Sequence, residues 1–234
     1  MTKPRIGILA KFSVGVELTP DTLWRRLKIE DDFRYILTKN GALATAILPP
    51  INTKEVGSHQ LTDGELSDFH ELIDECSGII IQGGIAEDVP YETEAARYAI
   101  ERDIPILGVC AGFNALVRAV GGSVHRLPDN SHFTYQASTA HSIAIDPGSR
   151  LYTIINATTT DVNSLHTYVA TDREVSPFVA VAHSPDGLVE AIELPNSSFT
   201  MGVKWHPELM LDYDPAMEDI FVEFIDAARK KQRT

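Results

Sequence analysis

The chain has few cysteines, no long apolar run and no excess of positive charge. Its 234 residues include only two cysteines, Cys76 and Cys110. Two cysteines are too few for a disulfide framework and indicate reduced thiols. No apolar run approaches the roughly 20 residues that span a bilayer, and the first apolar segment is too short for a signal peptide. We therefore expect a cytoplasmic protein without a membrane partner.

Positive charge is scarce, since 20 lysines and arginines stand against 33 aspartates and glutamates. The net charge is −13, whereas a nucleic-acid-binding protein normally presents a basic face to the phosphates. Nucleic acid is therefore not an expected partner. The sequence also has no internal repeat, low-complexity tract or linker-like segment. Its length suffices for one large core, so we predict a single domain over residues 1–234.

The order of apolar segments predicts an α/β fold. Up to Gly122, short and continuously apolar strands alternate with amphipathic helices, which is typical of a parallel sheet buried on both faces. Further along, strands follow one another across short turns, and an amphipathic helix closes the chain. We expect a flavodoxin-like open, mainly parallel sheet flanked by helices, with a β-rich C-terminal half.

The segment between the first strand and the first helix, residues 11–31, is interpreted as a long loop at the ligand edge of the sheet. It contains Trp24, Arg25 and Arg26. Either arginine is a candidate for binding a substrate carboxylate, because a guanidinium matches carboxylate geometry.

The stretch GVCAGFN, residues 108–114, puts Cys110 directly after an apolar strand and at the first turn of a helix. Open α/β sheets bind ligands at that edge, and a helix N-terminus favours the thiolate. The flanking Gly108 and Gly112 permit the sharp turn of a nucleophile elbow. The stretch alone is equally compatible with a small buried cysteine in the core.

Two backbone N–H groups are candidates for an oxyanion hole. The first belongs to Ala111, which follows the candidate nucleophile. The second belongs to Gly84, in a glycine turn after a neighbouring strand. Backbone donors in such positions stabilise the oxyanion of acyl-transfer reactions.

A thiolate nucleophile needs a base, and the base needs a group that orients it. The segment VKWHPE provides His206 and Glu208 at the end of a predicted strand. Residues i and i+2 of an extended chain point to the same side, and Pro207 biases His206 towards extended geometry. Glu208 can then bind one ring nitrogen while the other faces Cys110. A surface His-Glu pair without a function is the alternative.

Four segments, GVCAGFNAL, VNSLH, AHSPDGLVEAIE and MGVKWHPE, occur in an order and at intervals that resemble the class I glutamine amidotransferase fold. They are most similar to the γ-glutamyl-γ-aminobutyrate hydrolase branch, peptidase family C26, and the resemblance covers nearly the whole chain. It implies a triad in which Cys110 attacks, His206 moves the proton and Glu208 orients His206. It further implies hydrolysis of a small γ-glutamyl amide through a thioester, without a cofactor.

Three departures from the family motifs affect substrate recognition more than chemistry. Ala111 replaces the arginine that usually follows the nucleophile, and Asn114 replaces a glutamine. Of the N-S-x-H-H-Q element only Asn163, Ser164 and His166 are present. The resemblance implies that these three line the substrate pocket together with Asn114, although a structural turn is the alternative for the three.

Two other functions remain open. The chain could be a glutaminase subunit that delivers ammonia to a separate synthetase, or a binding protein with a degenerate pocket. A homodimer is also left open.

A metal site is not expected. Close spacing of the H-E-x-x-H kind would indicate zinc ligands, and it is missing from the histidines considered. These are His125, His132, His141, His166, His183 and His206.

Overall fold

A computed structural model describes residues 2–19, 22–51, 59–84, 89–135 and 138–232, with the backbone alone for 13–19 and 22–25. The strands are β1 (Arg5–Leu9), β2 (Lys11–Thr19), β3 (Thr22–Lys28), β4 (Leu43–Ile47), β5 (Gly78–Ile81), β6 (Ile106–Val109), β7 (His125–Arg126), β8 (His141–Ile145), β9 (Thr159–Val162), β10 (Tyr168–Val169), β11 (Val179–His183), β12 (Val189–Glu193) and β13 (Thr200–Val203). The helices are α1 (Asp31–Lys39), α2 (Asp63–Asp74), α3 (Pro90–Glu101), α4 (Ala111–Ala119), α5 (Arg150–Ile155) and α6 (Ala216–Lys231).

A nine-stranded sheet forms the centre of the described chain, in the order β4-β1-β5-β6-β13-β12-β11-β8-β9. Strands β4, β1, β5, β6 and β13 pair in parallel. From β13 through β12, β11 and β8 to β9 the pairing is antiparallel. The expected α/β architecture with a β-rich C-terminal half is confirmed.

Two apolar clusters cover the two faces of the sheet. One packs α1, α5 and α6 against it, with Phe33, Leu151 and Phe221 fully buried. The other packs α2, α3 and α4 against the opposite face, with Phe69 and Phe113 fully buried. The continuously apolar strands β5 and β6 lie in the middle because only such strands can be buried on both faces.

The expectation of a long loop over residues 11–31 is wrong. Strands β2 and β3 form an antiparallel pair that begins at Lys11 and ends opposite it at Lys28. The overlooked signal is the alternation of Phe12, Val14, Val16 and Leu18, since period two is the strand period. The side chains of Trp24 and Arg25 lie outside the described residues, and Arg26 is exposed on β3.

The C-terminal half contains more elements than expected. The predicted strands correspond to β8, β11, β12 and β13, but α5 and the edge strand β9 were missed. Helix α5 has only six residues, and its start is fixed by Ser149, which accepts a hydrogen bond from the Tyr152 N–H. No helix in the described part of the chain is long and apolar enough to cross a membrane.

Candidate active site

Cys110 lies at a sharp turn between β6 and α4. Its backbone has φ 54° and ψ −100°, a conformation that non-glycine residues rarely adopt and that costs about 1–3 kcal/mol. The neighbouring glycines are required by close backbone contacts. A Cβ at Gly112 would lie 2.0 Å from the Ile81 carbonyl oxygen, and a Cβ at Gly108 would lie 2.6 Å from the Gly112 carbonyl oxygen. The turn has the features of a nucleophile elbow.

The parallel pairing of β6 with β13 brings the second half of the site to this cysteine. Val109 lies opposite Val203, and the Cys110 N–H donates to the Val203 carbonyl at 2.8 Å. Because parallel strands end at the same edge of a sheet, the segment that leaves β13 continues beside Cys110. That segment carries His206 and Glu208.

The His206 ring is held by Glu208. His206 itself is nearly extended, with φ −108° and ψ 86°, and a 3₁₀ turn over Pro207–Leu209 follows. The predicted i,i+2 contact therefore forms through this turn and not along a straight strand. His206 Nδ1 lies 2.6 Å from Glu208 Oε1, and the Glu208 side chain is buried. A carboxylate in this position fixes the orientation of the imidazole.

The other side of the His206 ring faces Cys110. Burial raises the pKa of the Cys110 thiol, but the His206 charge, a hydrogen bond from His206 and the Lys204 ammonium outweigh it, so this pKa lies below its ordinary value. Burial lowers the pKa of His206, but Glu208 and Cys110 outweigh it and hold this pKa well above its ordinary value. The lowered pKa of Cys110 and the raised pKa of His206 both favour a thiolate–imidazolium pair.

Lys204 is a charged group of the site that the sequence analysis missed. Its side chain is fully buried, its Nζ donates to Asn114 Oδ1 at 3.0 Å, and it lies 5.1 Å from the centre of the Phe113 ring. Burial lowers its pKa, while Cys110 and Glu190 act in the opposite direction. The available signal was a lysine next to an apolar strand, two residues before His206.

The glycine turn after β5 packs directly against the imidazole. A Cβ at Gly83 would lie 2.4 Å from His206 Cε1, so any larger residue there would displace the imidazole. Gly84 has φ 150° and lies against the Lys11 side chain. The oxyanion-binding roles of Gly84 and Ala111 stay predictions.

A cavity of about 390 Å³ opens beside this turn. Gly83, Gly84, His206 and Glu208 form part of its wall. The rest is both charged and apolar: Lys28, Glu30, Asp32, Phe133, Tyr135, Leu165 and Leu209. Lys28 comes from the β2–β3 hairpin, so a strand and not a loop contributes this part of the wall.

Asn114, Asn163, Ser164 and His166, which were predicted to contact substrate, lie beneath the surface. Asn114 binds Lys204, and Asn163 binds the main chain of His206 through Nδ2 to O at 2.9 Å and Oδ1 to N at 2.8 Å. Ser164 donates to a backbone carbonyl at 2.6 Å. Their roles towards substrate stay predictions.

Three histidines that are far apart in sequence meet around one carboxylate. His132, His141 and His166 all face Glu190, and the ligand atoms of His132, His141 and Glu190 lie within 4.8 Å of one another. Spacing along the chain gave no sign of this group because the four residues belong to separate segments. Of these four residues, His132, His141 and Glu190 form a group that could hold a metal ion.

Comparisons with known proteins give the family of the chain. The peptidase C26 family profile matches residues 88–208. The γ-glutamyl-γ-aminobutyrate hydrolase PuuD of Escherichia coli (strain K12) is 35% identical, over 58% of this chain and 59% of that protein. The putative glutamine amidotransferase Rv2859c of Mycobacterium tuberculosis is 30% identical, over 77% of this chain and 62% of that protein. The chain thus spans about three fifths of the length of these relatives.

Solved structures agree on the fold. A putative GMP synthase protein from Thermoplasma acidophilum superimposes with a TM-score of 0.68 at 15% identity, covering 99% of this chain and 96% of that chain. The glutaminase domain of Trypanosoma brucei CTPS superimposes with a TM-score of 0.64 at 20% identity, covering 97% of this chain and 94% of that chain. With a profile match over residues 88–208 and this fold, the chain belongs to the peptidase C26 family.

Proposed function

We propose that this protein is a cysteine-dependent hydrolase of γ-glutamyl amide bonds, in which Cys110, His206 and Glu208 form the catalytic triad. The observation that carries the proposal is the His206 ring, which is bound by Glu208 on one side and faces a thiol of lowered pKa on the other. Membership of the peptidase C26 family supports the same chemistry.

In the first half-reaction the Cys110 thiolate attacks the amide carbonyl carbon of the γ-glutamyl group. A C–S bond forms, and the carbonyl oxygen becomes an oxyanion. The N–H groups of Ala111 and Gly84 are the proposed donors to it, and one such donor can contribute about 3 kcal/mol. As the intermediate collapses, the C–N bond breaks and the His206 imidazolium gives its proton to the leaving amine.

In the second half-reaction water hydrolyses the γ-glutamyl thioester. His206, now neutral, accepts a proton from water while the water oxygen attacks the thioester carbonyl. The C–S bond then breaks, glutamate leaves, and the thiolate–imidazolium pair is restored. Glu208 stabilises His206 in its charged form and keeps the ring oriented throughout.

The charges of the cavity fit the amino-acid end of such a substrate. A γ-glutamyl group carries an α-carboxylate and an α-ammonium, and the wall provides Lys28 beside Glu30 and Asp32. Lys28 Nζ lies 2.7 Å from Glu30 Oε1, and both side chains are about half exposed, so this pair is weak and can exchange for substrate contacts. Lys28 is thus the proposed carboxylate contact in place of Arg25 or Arg26.

The test is a panel of γ-glutamyl amides: γ-glutamyl-γ-aminobutyrate, γ-glutamyl-p-nitroanilide and glutamine. We expect the purified chain to release the amine from at least one of them. Cys110→Ala should lower kcat/KM by at least about 1,000-fold, as loss of a nucleophile does. Cys76→Ala is the matched control, because Cys76 packs in the apolar cluster with Phe69 and Ile73 of α2 and should leave the rate unchanged. Equal rates for Cys110→Ala and wild type would refute the proposal.

The same panel distinguishes a glutaminase subunit. Likeness to a CTP synthase glutaminase domain supports that second candidate. A partnered glutaminase would cleave glutamine slowly by itself and leave the γ-glutamyl amines intact. A stand-alone hydrolase should cleave a γ-glutamyl amine at full rate without another protein.

A further inference from the structure

The molecule contains a fully buried carboxylate that no hydrogen bond satisfies. Glu190 lies on β12, is 0% exposed, and neither of its carboxylate oxygens has a hydrogen-bond partner among the described residues. Burying a carboxylate is costly unless a cation or hydrogen bonds compensate its charge, so the groups around Glu190 determine what it can bind.

Three imidazole nitrogens point at the same carboxylate oxygen. Glu190 Oε1 lies 3.3 Å from His141 Nε2, 3.5 Å from His132 Nδ1 and 3.6 Å from His166 Nε2. These three nitrogens also have no hydrogen-bond partner within the described ranges. The separations exceed the roughly 2.7–3.2 Å of ordinary N–H···O hydrogen bonds.

The separations of His132 and His141 from Glu190 Oε1 match two edges of a coordination tetrahedron. Zinc binds histidine nitrogen and carboxylate oxygen at about 2.0–2.2 Å, which puts neighbouring ligand atoms roughly 3.3–3.5 Å apart. We propose that His132, His141 and Glu190, whose ligand atoms lie within 4.8 Å of one another, bind a zinc ion, with a water molecule in the fourth tetrahedral position.

One of the ligand histidines is already oriented for this task, and a third histidine is held beside it. His132 Nε2 lies 3.1 Å from Asp186 Oδ2, and His166 Nδ1 lies 3.2 Å from the Tyr168 carbonyl oxygen. If His132 carries its proton on Nε2 and donates it to Asp186, its Nδ1 keeps a free lone pair for the metal. Outer carboxylates and carbonyls orient the histidine ligands of metal sites in this way.

The ion would connect the sheet to the wall of the active-site cavity. His132 precedes Phe133, His166 follows Leu165, and Phe133 and Leu165 pair as an isolated β-bridge and line the cavity. Glu190 anchors this wall to β12, so zinc would fix the apolar side of the cavity.

The test measures zinc binding directly and does not depend on hydrolytic activity. The full chain without an affinity tag carries Cys110→Ser, so that zinc cannot bind the active-site thiolate. After treatment with a chelator, zinc is titrated in competition with a chromophoric indicator, and bound metal is counted by atomic emission. We expect one zinc ion per chain, and Co²⁺ in its place should give the intense visible bands of tetrahedral coordination.

Single-residue variants should differ in their affinity for zinc. Glu190→Gln and His141→Ala should each weaken zinc binding more than Asp186→Ala, which removes the outer partner of His132, a loss worth about 10- to 100-fold. His183→Ala is the matched control, since His183 pairs with Asp172 at the surface, and its affinity should equal that of the parent. Circular dichroism checks that each variant folds. If Glu190→Gln does not fold, the test of zinc affinity uses His141→Ala. Absence of stoichiometric zinc in the parent, or unchanged affinity in His141→Ala, would overturn the proposal.

Discussion

At the scale of single residues, the two cysteines differ by their neighbours and not by their burial. Both are buried. Burial raises the pKa of the Cys76 thiol to about 11, with Arg5 and Glu75 contributing less. Burial also raises the pKa of the Cys110 thiol, but His206 and Lys204 outweigh this effect, so the pKa of Cys110 is lowered. A thiol can thus be buried and still ionise when a cation is buried beside it.

The first prediction concerns the pH dependence of hydrolysis. As pH rises through the lowered pKa of Cys110 the thiolate forms, so kcat/KM should increase. As pH rises through the raised pKa of His206 the proton donor is lost, so kcat/KM should decrease. A bell-shaped profile is expected, and its two limbs belong to the coupled pair. Steady-state rates over the pH range measure it.

Alkylation with iodoacetamide measures the ionisation of Cys110 separately from the loss of the His206 proton. Cys110 should react faster than Cys76 at neutral pH, and His206→Ala should shift the Cys110 reactivity to higher pH. Peptide mass spectrometry assigns the label to each cysteine. Equally slow labelling of both thiols would contradict an ion pair and would favour a degenerate binding protein.

At the scale of elements, the site depends on glycines that allow backbones to touch. Gly112 on α4 lies against the carbonyl end of β5, and Gly83 lies against the His206 ring. Side-chain packing adjusts to a methyl group more easily than a backbone carbonyl does. The consequences of adding one methyl group should therefore differ between the two positions.

The second prediction compares three alanine substitutions. Gly112→Ala should destabilise the fold strongly, because its Cβ would lie 2.0 Å from a carbonyl oxygen. Gly83→Ala should keep most of the stability but lower kcat, because its Cβ would displace the imidazole. Gly64→Ala in α2 meets nothing within 4 Å and should stabilise the protein by about 0.5–1 kcal/mol. Thermal unfolding and kcat measure all three, and a lower Tm for Gly64→Ala than for Gly112→Ala would contradict the reasoning.

The sequence predicts those parts of the site whose signal is local. Cys110 between two glycines, and His206 two residues before Glu208, form short motifs that determine their own geometry. Lys204 and Glu190 are not part of such a motif, because each acquires its role from partners that are distant in the sequence. The β2–β3 hairpin had a local signal, the period-two alternation of Phe12, Val14, Val16 and Leu18, and this signal was overlooked.

At the scale of the whole molecule, the site joins two halves of one sheet. Cys110 follows β6 in the parallel half, while the backbone of His206 is held from the far edge of the antiparallel half. Asn163, directly after β9, supplies that connection with both its amide nitrogen and its amide oxygen. The position of the imidazole therefore depends on a strand that contributes no group to the triad.

The third prediction tests this dependence. Asn163→Ala removes two hydrogen bonds from the His206 main chain, and each unsatisfied buried group costs about 1–3 kcal/mol. Misplacing a catalytic group by about 1 Å can cost roughly 100-fold, so kcat should fall far more than KM changes. Asn40→Ala is the matched control, because Asn40 also makes two side-chain hydrogen bonds, from Nδ2 to the Ile36 carbonyl and to Glu218, away from the site. A comparable loss of Tm with unchanged kcat is expected for Asn40→Ala. If both variants lost stability and kcat in the same proportion, Asn163 would be structural only and would not position His206.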